Sequence, residues 1–449
     1  MPVNILNLSA FRVTAVEEEA HDYHVRAEIV DPPSKCRECG SDRISPWGAR
    51  EAVIKDLPIH GKRVGIYVQV RRFRCAGCGK TFSETMPAVA ESRLMTDRLV
   101  RWIGEQSMRR TFTSIAEETG VVEGTVRNIF RDFVTELEKT VRFETPKWMG
   151  IDEIHLIKPR CVVSNIANNT IVELLSNRNK ETVARYLARL PEKDRVQHVA
   201  MDMWTPYRDA VKTVMPWATI VIDKFHVVRM ANDALERARK SMRGELTLRQ
   251  KRGLMHDRFV LLRREADLTP EQRFTMDGWV KNYPLLGEAY RLKEAFYGVY
   301  EQATSRQDAE ARWAAWHRSV PQELMPHFGD LIRAVMNWEP HVFAYFDHPV
   351  TNAYTESLNN LIRVMNRLGR GYSFEALRAK ILFTEGMHKR DRARPKFERR
   401  TPERERPTYG RFTTAALRQR DDSLRVAEPR PIYGVDIATL IAKLEAGEL

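Results

Sequence analysis

The sequence predicts a multidomain α+β protein, and three observations carry that prediction. Two matched cysteine knuckles, Cys36-Arg37-Glu38-Cys39-Gly40 and Cys75-Ala76-Gly77-Cys78-Gly79, lie in the first eighty residues. Two segments of helical periodicity follow, separated by Gly120. Beyond residue 146 short apolar strands alternate with helical segments before a long, charged, helical stretch.

Each knuckle places two thiolates on one tight turn, and two knuckles supply the four ligands of a tetrahedral metal. A glycine after each pair lets the chain turn without a Cβ clash. Cys36, Cys39, Cys75 and Cys78 are therefore the expected ligands of one structural Zn2+. Free thiols would leave the duplication to chance, and a redox role needs one knuckle rather than two. Val64, Ile66, Val68 and Val70 alternate with Gly65, Tyr67, Gln69 and Arg71, the period of a half-buried strand. That strand runs into Cys75, and His60-Gly61-Lys62 reads as the hairpin turn before it. Residues 1–85 thus read as a β-rich zinc-binding domain of zinc-ribbon type. Cys161, in an apolar run, reads as a buried small hydrophobe.

The chain has 449 residues, with 73 Lys and Arg against 60 Asp and Glu, a net charge of +13. That balance favours a polyanionic partner, most simply DNA or RNA. No apolar run reaches the length of a membrane span, and the N-terminus lacks the pattern of a signal peptide. A cytoplasmic protein with no membrane partner is expected, where thiols stay reduced.

Residues 86–145 read as a helix-turn-helix domain. Ser114 and Glu117 have the spacing of a capping box. Gly120 breaks the first helix, and a second is predicted over about Glu123 to Leu137, with Val126, Ile129, Phe130 and Phe133 inward. Thr125, Arg127, Asn128 and Arg131 would face outward. Arg127, Asn128 and Arg131 are the candidate DNA contacts; an ordinary helical hairpin is the plain alternative.

Residues 146–225 predict strands over Trp148–Ile154, Cys161–Ala167 and Thr170–Leu175, the last two joined by the turn dipeptide Asn168-Asn169. A helix over Glu181–Leu190, a strand over Val196–Met201, a helix over Tyr207–Val214 and a strand over Thr219–Ile222 follow. That order is the first part of a ribonuclease-H-like α/β domain. Residues 226–345 read as an all-α insertion, and 346–390 as the second part of the domain. Trp313 and Trp316 share a helix face and read as core rather than a base-stacking platform. Residues 391–449 read as a basic C-terminal tail with a short helix near Tyr433–Leu444. Its approach, 389–406, holds nine Lys or Arg and four Asp or Glu.

Asp152 and Asp202 each sit in or at the end of an apolar strand. Such a carboxylate is costly to bury unless it is paired or bound to metal. Two of them on neighbouring strands suggest a divalent cation, Mg2+ or Mn2+ for hard oxygen ligands. A helix opening near Asn352 puts Glu356, Asn360, Arg363 and Arg367 on one polar face, opposite Leu358, Leu361, Ile362, Met365 and Leu368. A glutamate there suits metal, and its neighbours suit phosphate; a solvated charged face is the alternative.

The stretches RRFRCAGCGKTF, GIDEI, VAMDMWTPYRDAV, IVIDKFHVVRMANDAL and TNAYTESLNNLIRVMNRLGRGYSF, in this order, make the chain resemble the ISL-three-type insertion-sequence transposases of bacteria. The resemblance implies that Asp152, Asp202 and Glu356 are the acidic triad of a ribonuclease-H-like catalytic domain. It also implies metal-dependent cleavage and transfer of DNA strands, binding to terminal inverted repeats and target DNA, a homodimer or larger assembly, and a nucleoid-associated protein. Asp223 also ends a strand and stands as the alternative to Asp202. His226 is read as orienting a carboxylate or a phosphate, and Glu153 as structural. A DNA-binding regulator without chemistry and a structure-selective nuclease are the competing functions.

Overall fold

A computed structural model describes residues 6–386. The predicted C-terminal tail and its helix lie outside the described residues. The N-terminal strands are β1 (Phe11–Glu18), β2 (Asp22–Ile29), β3 (Ile44–Ile59), β4 (Lys62–Cys75), β5 (Thr81–Ser83), β6 (Val89–Ala90) and β7 (Met95–Thr96). They form one sheet in the order β1-β2-β4-β3-β7-β6, with β5 on β4. Val64, Ile66, Val68 and Val70 are all buried, as their alternation requires. His60 and Gly61, at φ +52 and +77, close a two-residue β3–β4 hairpin in which Ile59 pairs with Lys62. Two left-handed residues match the twist of the strands they join.

The first sheet extends past residue 85, the expected edge of the zinc-binding domain. β6 and β7 lie beyond it and join the first sheet through Lys55 and Met95. Thr96 then caps α1 (Asp97–Ser107), while its hydroxyl donates to buried Asp56 at 2.7 Å. Arg98 meets the same carboxylate at 2.8 Å through Nε. This buried knot ties the sheet to the helices that follow.

α2 (Phe112–Thr119) ends at Gly120, which is left-handed at φ +66, and α3 runs Glu123–Thr140. The expected cap at Ser114 is corrected. Thr111 caps α2 by accepting the Ser114 N–H at 3.2 Å, and the Ser114 hydroxyl receives Arg110 at 2.8 Å instead. Threonine three residues earlier serves because the helix begins at Phe112, whose ring belongs in the core with Ile115, Val126, Ile129 and Phe130. Phe133 is half-buried.

The second sheet holds β8 (Trp148–His155), β9 (Pro159–Asn165), β10 (Thr170–Leu175), β11 (His198–Met201) and β12 (Thr219–Ile222), in the order β10-β9-β8-β11-β12. The first three are antiparallel; β11 and β12 run parallel to β8. Crossovers between parallel strands need helices, here α4 (Lys180–Arg189) and α5 (Thr205–Val214). The strand and helix order is that of a ribonuclease-H-like domain. One face packs α4, α5 and α6 (Lys224–Ser241) through Met149, Ile151, Val199 and Ile220.

Helices continue through α7 (Leu248–His256), α8 (Arg258–Leu262), α9 (Pro270–Asn282), α10 (Pro284–Gln302), α11 (Arg306–Ser319) and α12 (Met325–Asp347), with no strand among these described residues. Trp313 and Trp316 are buried and stacked, ring centroids 5.1 Å apart, and Trp316 Nε1 donates to the Leu292 carbonyl at 2.8 Å. They are core. The chain returns as α13 (Ala353–Leu368) and α14 (Phe374–Glu385), which cover the other face of the second sheet through Leu358, Ile362, Leu377 and Phe383. Leu368, expected on the apolar side of α13, is 65% exposed, because it lies in the last turn, beyond the sheet. Among the described residues no helix is long and apolar enough to cross a membrane.

Candidate active site and metal centres

The N-terminal knuckles meet at the open end of the β3–β4 hairpin, where Ile44 pairs with Cys75. Each closes the same way: Gly40 N–H donates to the Cys36 carbonyl at 2.8 Å, and Gly79 N–H to the Cys75 carbonyl at 2.9 Å. Both glycines are left-handed, at φ +73 and +72. Cys36 Sγ lies 3.8 Å from Cys78 Sγ, and Cys39 Sγ 3.6 Å from Cys75 Sγ. Zinc–sulfur bonds of ~2.3 Å place tetrahedral sulfurs about 3.8 Å apart. The four thiols therefore fit zinc as they stand. The backbone N–H of Cys78 leads in pulling the Cys75 thiol down to about 6, while Cys39, which the Ser41 backbone draws down, is carried up to about 12 by the facing Cys75 sulfur. Cys161 is buried, and burial pushes its thiol up to about 12, as expected of an inert core residue.

The carboxylates gather at the carboxyl ends of the parallel strands, where open α/β sheets place their sites. Ile151, Met201 and Ile222 are paired neighbours across β8, β11 and β12. Asp152, Asp202 and Asp223 each follow one of them, so three acids stand abreast. Asp152 is 4% exposed and Asp223 fully buried. Burial first, then the neighbouring Asp202, push the Asp152 carboxyl up to about 8. Burial likewise raises Asp223 to about 6. His226 Nε2 lies 2.7 Å from Asp202 Oδ1, without the alignment of a good hydrogen bond. Burial opposes the imidazolium, but Asp202, backed by Asp223 and Asp152, raises it to about 9. Ligand atoms of Asp152, Asp202 and His226 all lie within 4.8 Å of one another. Asp223 Oδ2, Asn359 Oδ1, Asp202 Oδ1 and His226 Nε2 are buried without a hydrogen-bond partner. Crowded acids and the unsatisfied oxygens of Asp202, Asp223 and Asn359 fit a divalent cation with its waters. Beside them opens a cleft of about 310 Å³, lined by Glu153, Asp202, Trp204, His226 and Arg229.

Comparison with known proteins decides the family. Residues 149–381, just over half of the chain, match a transposase of family ISL3. Residues 32–78 match the zinc-finger of the transposases of IS204, IS1001, IS1096 and IS1165, and residues 84–134 the helix-turn-helix domain of transposase family ISL3. The chain belongs to transposase family ISL3. Among its relatives is the transposase for insertion sequence element IS1001 of Bordetella parapertussis. It is 24% identical over 349 residues, covering 75% of this chain and 85% of the relative. The transposase for IS1557 of Mycobacterium tuberculosis is 25% identical over 395 residues, covering 79% of this chain and 86% of the relative. The N-terminal module of this transposase is thus a zinc ribbon with a structural zinc site, followed by a DNA-binding helix-turn-helix.

Glu356 of the transposase lies in the first turn of α13 and is exposed. It stands outside the tight Asp152–Asp202–His226 group, yet its charge reaches both Asp152 and Asp223. Asn360 and Arg367 are exposed and Arg363 half-exposed. Arg363 donates to Asn360 Oδ1 at 2.9 Å, which lines these side chains along one face. Arg127, Asn128 and Arg131 are all exposed on α3. Arg127 is held by Glu123 at 2.9 Å and sits 5.2 Å from the Phe112 ring. Arg127 and Arg131 also border a cleft of about 500 Å³ against α14, so their surroundings are less open than a bare helix face.

Two features escaped the sequence. Asn359 Nδ2 donates to Asp152 Oδ2 at 2.7 Å and to the Glu153 carbonyl at 3.3 Å. Its signal was a polar seam, Asn352, Thr355 and Asn359, inside the apolar side of α13. The second is Glu153. It pairs with Arg178, and its side chain lines the cleft beside Asp202.

Proposed function

We propose that this chain cuts the ends of its insertion sequence and joins them to target DNA through one acidic site, in which Asp152, Asp202 and Glu356 hold Mg2+ or Mn2+. The observation that carries the reading is the cluster of Asp152, Asp202 and His226 at the carboxyl ends of adjacent parallel strands. A pair of such ions would supply Lewis acidity for in-line attack at a phosphodiester, first by water, which expels a DNA 3′-hydroxyl, and then by that hydroxyl, which expels the 3′-oxygen of the target phosphodiester. Asp152 is fixed from α13 by Asn359 and from its own strand by the Glu153 N–H at 2.7 Å. His226 stands beside Asp202 as its charge partner. Glu356, on a helix rather than a strand, completes the set from the solvent side. Asp223 accepts the Phe225 N–H at 3.3 Å and caps α6, which supports a framing role beside Asp202 rather than in its place.

Arg127, Asn128 and Arg131 would read the terminal inverted repeats, with the zinc ribbon beside them. Asn360, Arg363 and Arg367 would hold phosphates near the cut. Joining requires two element ends at once, so a homodimer or larger assembly on double-stranded DNA follows.

The test incubates labelled element-end DNA with a plasmid and Mg2+. Joined product is expected from wild type and absent from Asp152→Ala, Asp202→Ala and Glu356→Ala, each still binding DNA and melting cooperatively. Cutting without joining would make the protein a nuclease, and binding without cutting a regulator. An active Asp202→Ala beside a dead Asp223→Ala would exchange the second ligand.

A further inference from the structure

We propose that α13 and the turn after it act as a ruler, which fixes how far from the bases read by α3 the DNA strand is cut. The inference rests on the catalytic reading above. It comes from two independent observations.

The first is a row of unpaired cations. From Glu356 at the carboxylates, the exposed face of α13 continues through Asn360, Arg363 and Arg367 to Arg370 in the next turn. Arg363 donates to Asn360, and Arg367 Nε to the Arg363 carbonyl at 3.4 Å. None of the three arginines forms an ion pair among the described residues. By contrast Arg378, on the next helix, is paired with Glu173 and Glu138. Surface arginines left without carboxylates along one line fit a phosphate backbone.

The second is a rigid joint where that row ends. Gly369, Arg370 and Gly371 turn the chain so tightly that a Cβ at Gly369 would strike the Tyr372 ring. Arg370 is left-handed at φ +44 and Gly371 at +113. Tyr372 then packs on Phe112 of α2, ring centroids 5.3 Å apart, and its hydroxyl donates to the Arg110 carbonyl at 3.4 Å. Lys380 of α14 is 1% exposed. Its ammonium donates to the carbonyls of Ser107 and, at 2.9 Å, Arg110. It lies 4.7 Å from the Phe112 and Tyr372 rings and 5.4 Å from Phe130. Phe112 in turn borders Arg127 on the reading helix. A buried ammonium that donates to two carbonyls and is ringed by three aromatic side chains resists sliding between the two modules, because any shift strands a charge.

Together these hold a fixed length. Eleven residues separate Glu356 from Arg367, or ~16 Å at ~1.5 Å per residue. At ~3.4 Å per nucleotide along one strand that is roughly five phosphates. The DNA between the cut and the first bases read would thus be held by its backbone, with no demand on its sequence.

The test uses labelled duplexes carrying the end of the element, unmodified or with two base pairs inserted between the cut and the bases the helix-turn-helix protects. A ruler moves the cut by two nucleotides, at constant distance from those bases, or abolishes it. A cut that stays at the original phosphate overturns the ruler and leaves the catalytic reading intact. Failure to cut the unmodified end overturns the catalytic reading instead. The phosphate row is tested separately by binding. Arg363→Ala with Arg367→Ala should flatten the slope of log affinity against log salt by about 1.8, at ~0.9 per lost phosphate contact. The paired lysine variants should restore it. An unchanged slope in the alanine variant overturns the ruler.

Discussion

Asn359→Ala removes the amide that reaches Asp152 at 2.7 Å and leaves the rest of α13 in place. The change is small in volume, and Leu358 and Ile362 still pack on the sheet. A hydrogen bond to a charged group contributes about 1.5–3 kcal/mol. If that energy goes into orienting Asp152 for metal, its loss weakens metal binding by roughly 10–150-fold, at ~1.36 kcal/mol per decade. Loss of a partner that orients a metal ligand has effects of about 10–100-fold elsewhere.

The assay follows strand cleavage at saturating DNA while Mg2+ is varied. Half-saturation should rise by one to two orders of magnitude in Asn359→Ala, with maximal rate largely regained at high metal. Asn360→Ala, one residue on but exposed, should leave the metal curve alone and weaken DNA binding instead. Wild-type metal dependence in Asn359→Ala would refute the orienting role. A loss that no amount of metal rescues would mean that Asn359 acts on DNA or on the fold.

Four further outcomes follow from the structure. Purified protein should hold about one zinc per chain in the N-terminal site, and Cys75→Ser should lose it and weaken binding to element ends while the catalytic domain still melts as a folded unit. Arg127→Ala should cost ~1–3 kcal/mol of affinity for element ends if the guanidinium reads a base edge; an equal loss on random DNA would make it a phosphate contact. Burial holds Lys380 down to about 8, so the unfolded chain binds more protons than the folded one from there up to the ordinary lysine value of 10.5. The penalty for burying this charge is full below pH 8 and fades above it, so stability gains with rising pH; Lys380→Met should flatten the rise of Tm between about pH 8 and 10, and coincident curves would refute it. In Gly150→Ala the new methyl would land 2.7 Å from Thr355 Oγ1 and closer still to Ser164 and Asn352. That lifts α13 from β8, and cleavage should fall by about a hundredfold, the cost of ~1 Å of misplacement, with DNA binding retained.

Much of this was legible because it depends on local patterns. Period-two alternation through Val64–Val70 and matched spacing at the knuckles each have one structural solution, and both formed as read. The strands of the second sheet were legible for the same reason, since continuous apolar runs bounded by turns must be buried strands. What the sequence hid was lateral. Nothing in the order of residues says that Met201 pairs with both Ile151 and Ile222, so the abreast placement of Asp152, Asp202 and Asp223 needed the sheet. Asn359 was hidden because helical spacing from Glu356 pointed to Asn360, four residues on, while burial selected the residue three on. Lys380 carries no mark in its local sequence, and only the approach of α2 makes it a buried bolt. The cap at Thr111 was missed because serine–glutamate spacing outweighed the demand that Phe112 begin the helix.

The placement of Glu356 has a physical logic on the proposed assignment. Asp152 and Asp202 are carried by strands, buried and nearly in contact, and His226 balances part of their charge. A third buried carboxylate pressed against them would add repulsion that the fold must hold without a cation. Asp223 already stands at the end of the next strand, its carboxyl pushed up first by burial and then, more weakly, by Asp202 and Glu356. Glu356 instead stands in the first turn of α13, where the helix dipole favours an acid and water screens it. The helix itself is pinned by Thr355 to Ser164 at 2.7 Å and by Asn352 to the Ile151 carbonyl at 3.4 Å. The third acid is therefore fixed in backbone but free in side chain. On that assignment it would turn toward the strands with an arriving cation, which would also settle Asp152 and Asp202. Metal and DNA phosphates would assemble such a site together, with α13 carrying both the last ligand and the cations that follow the strand.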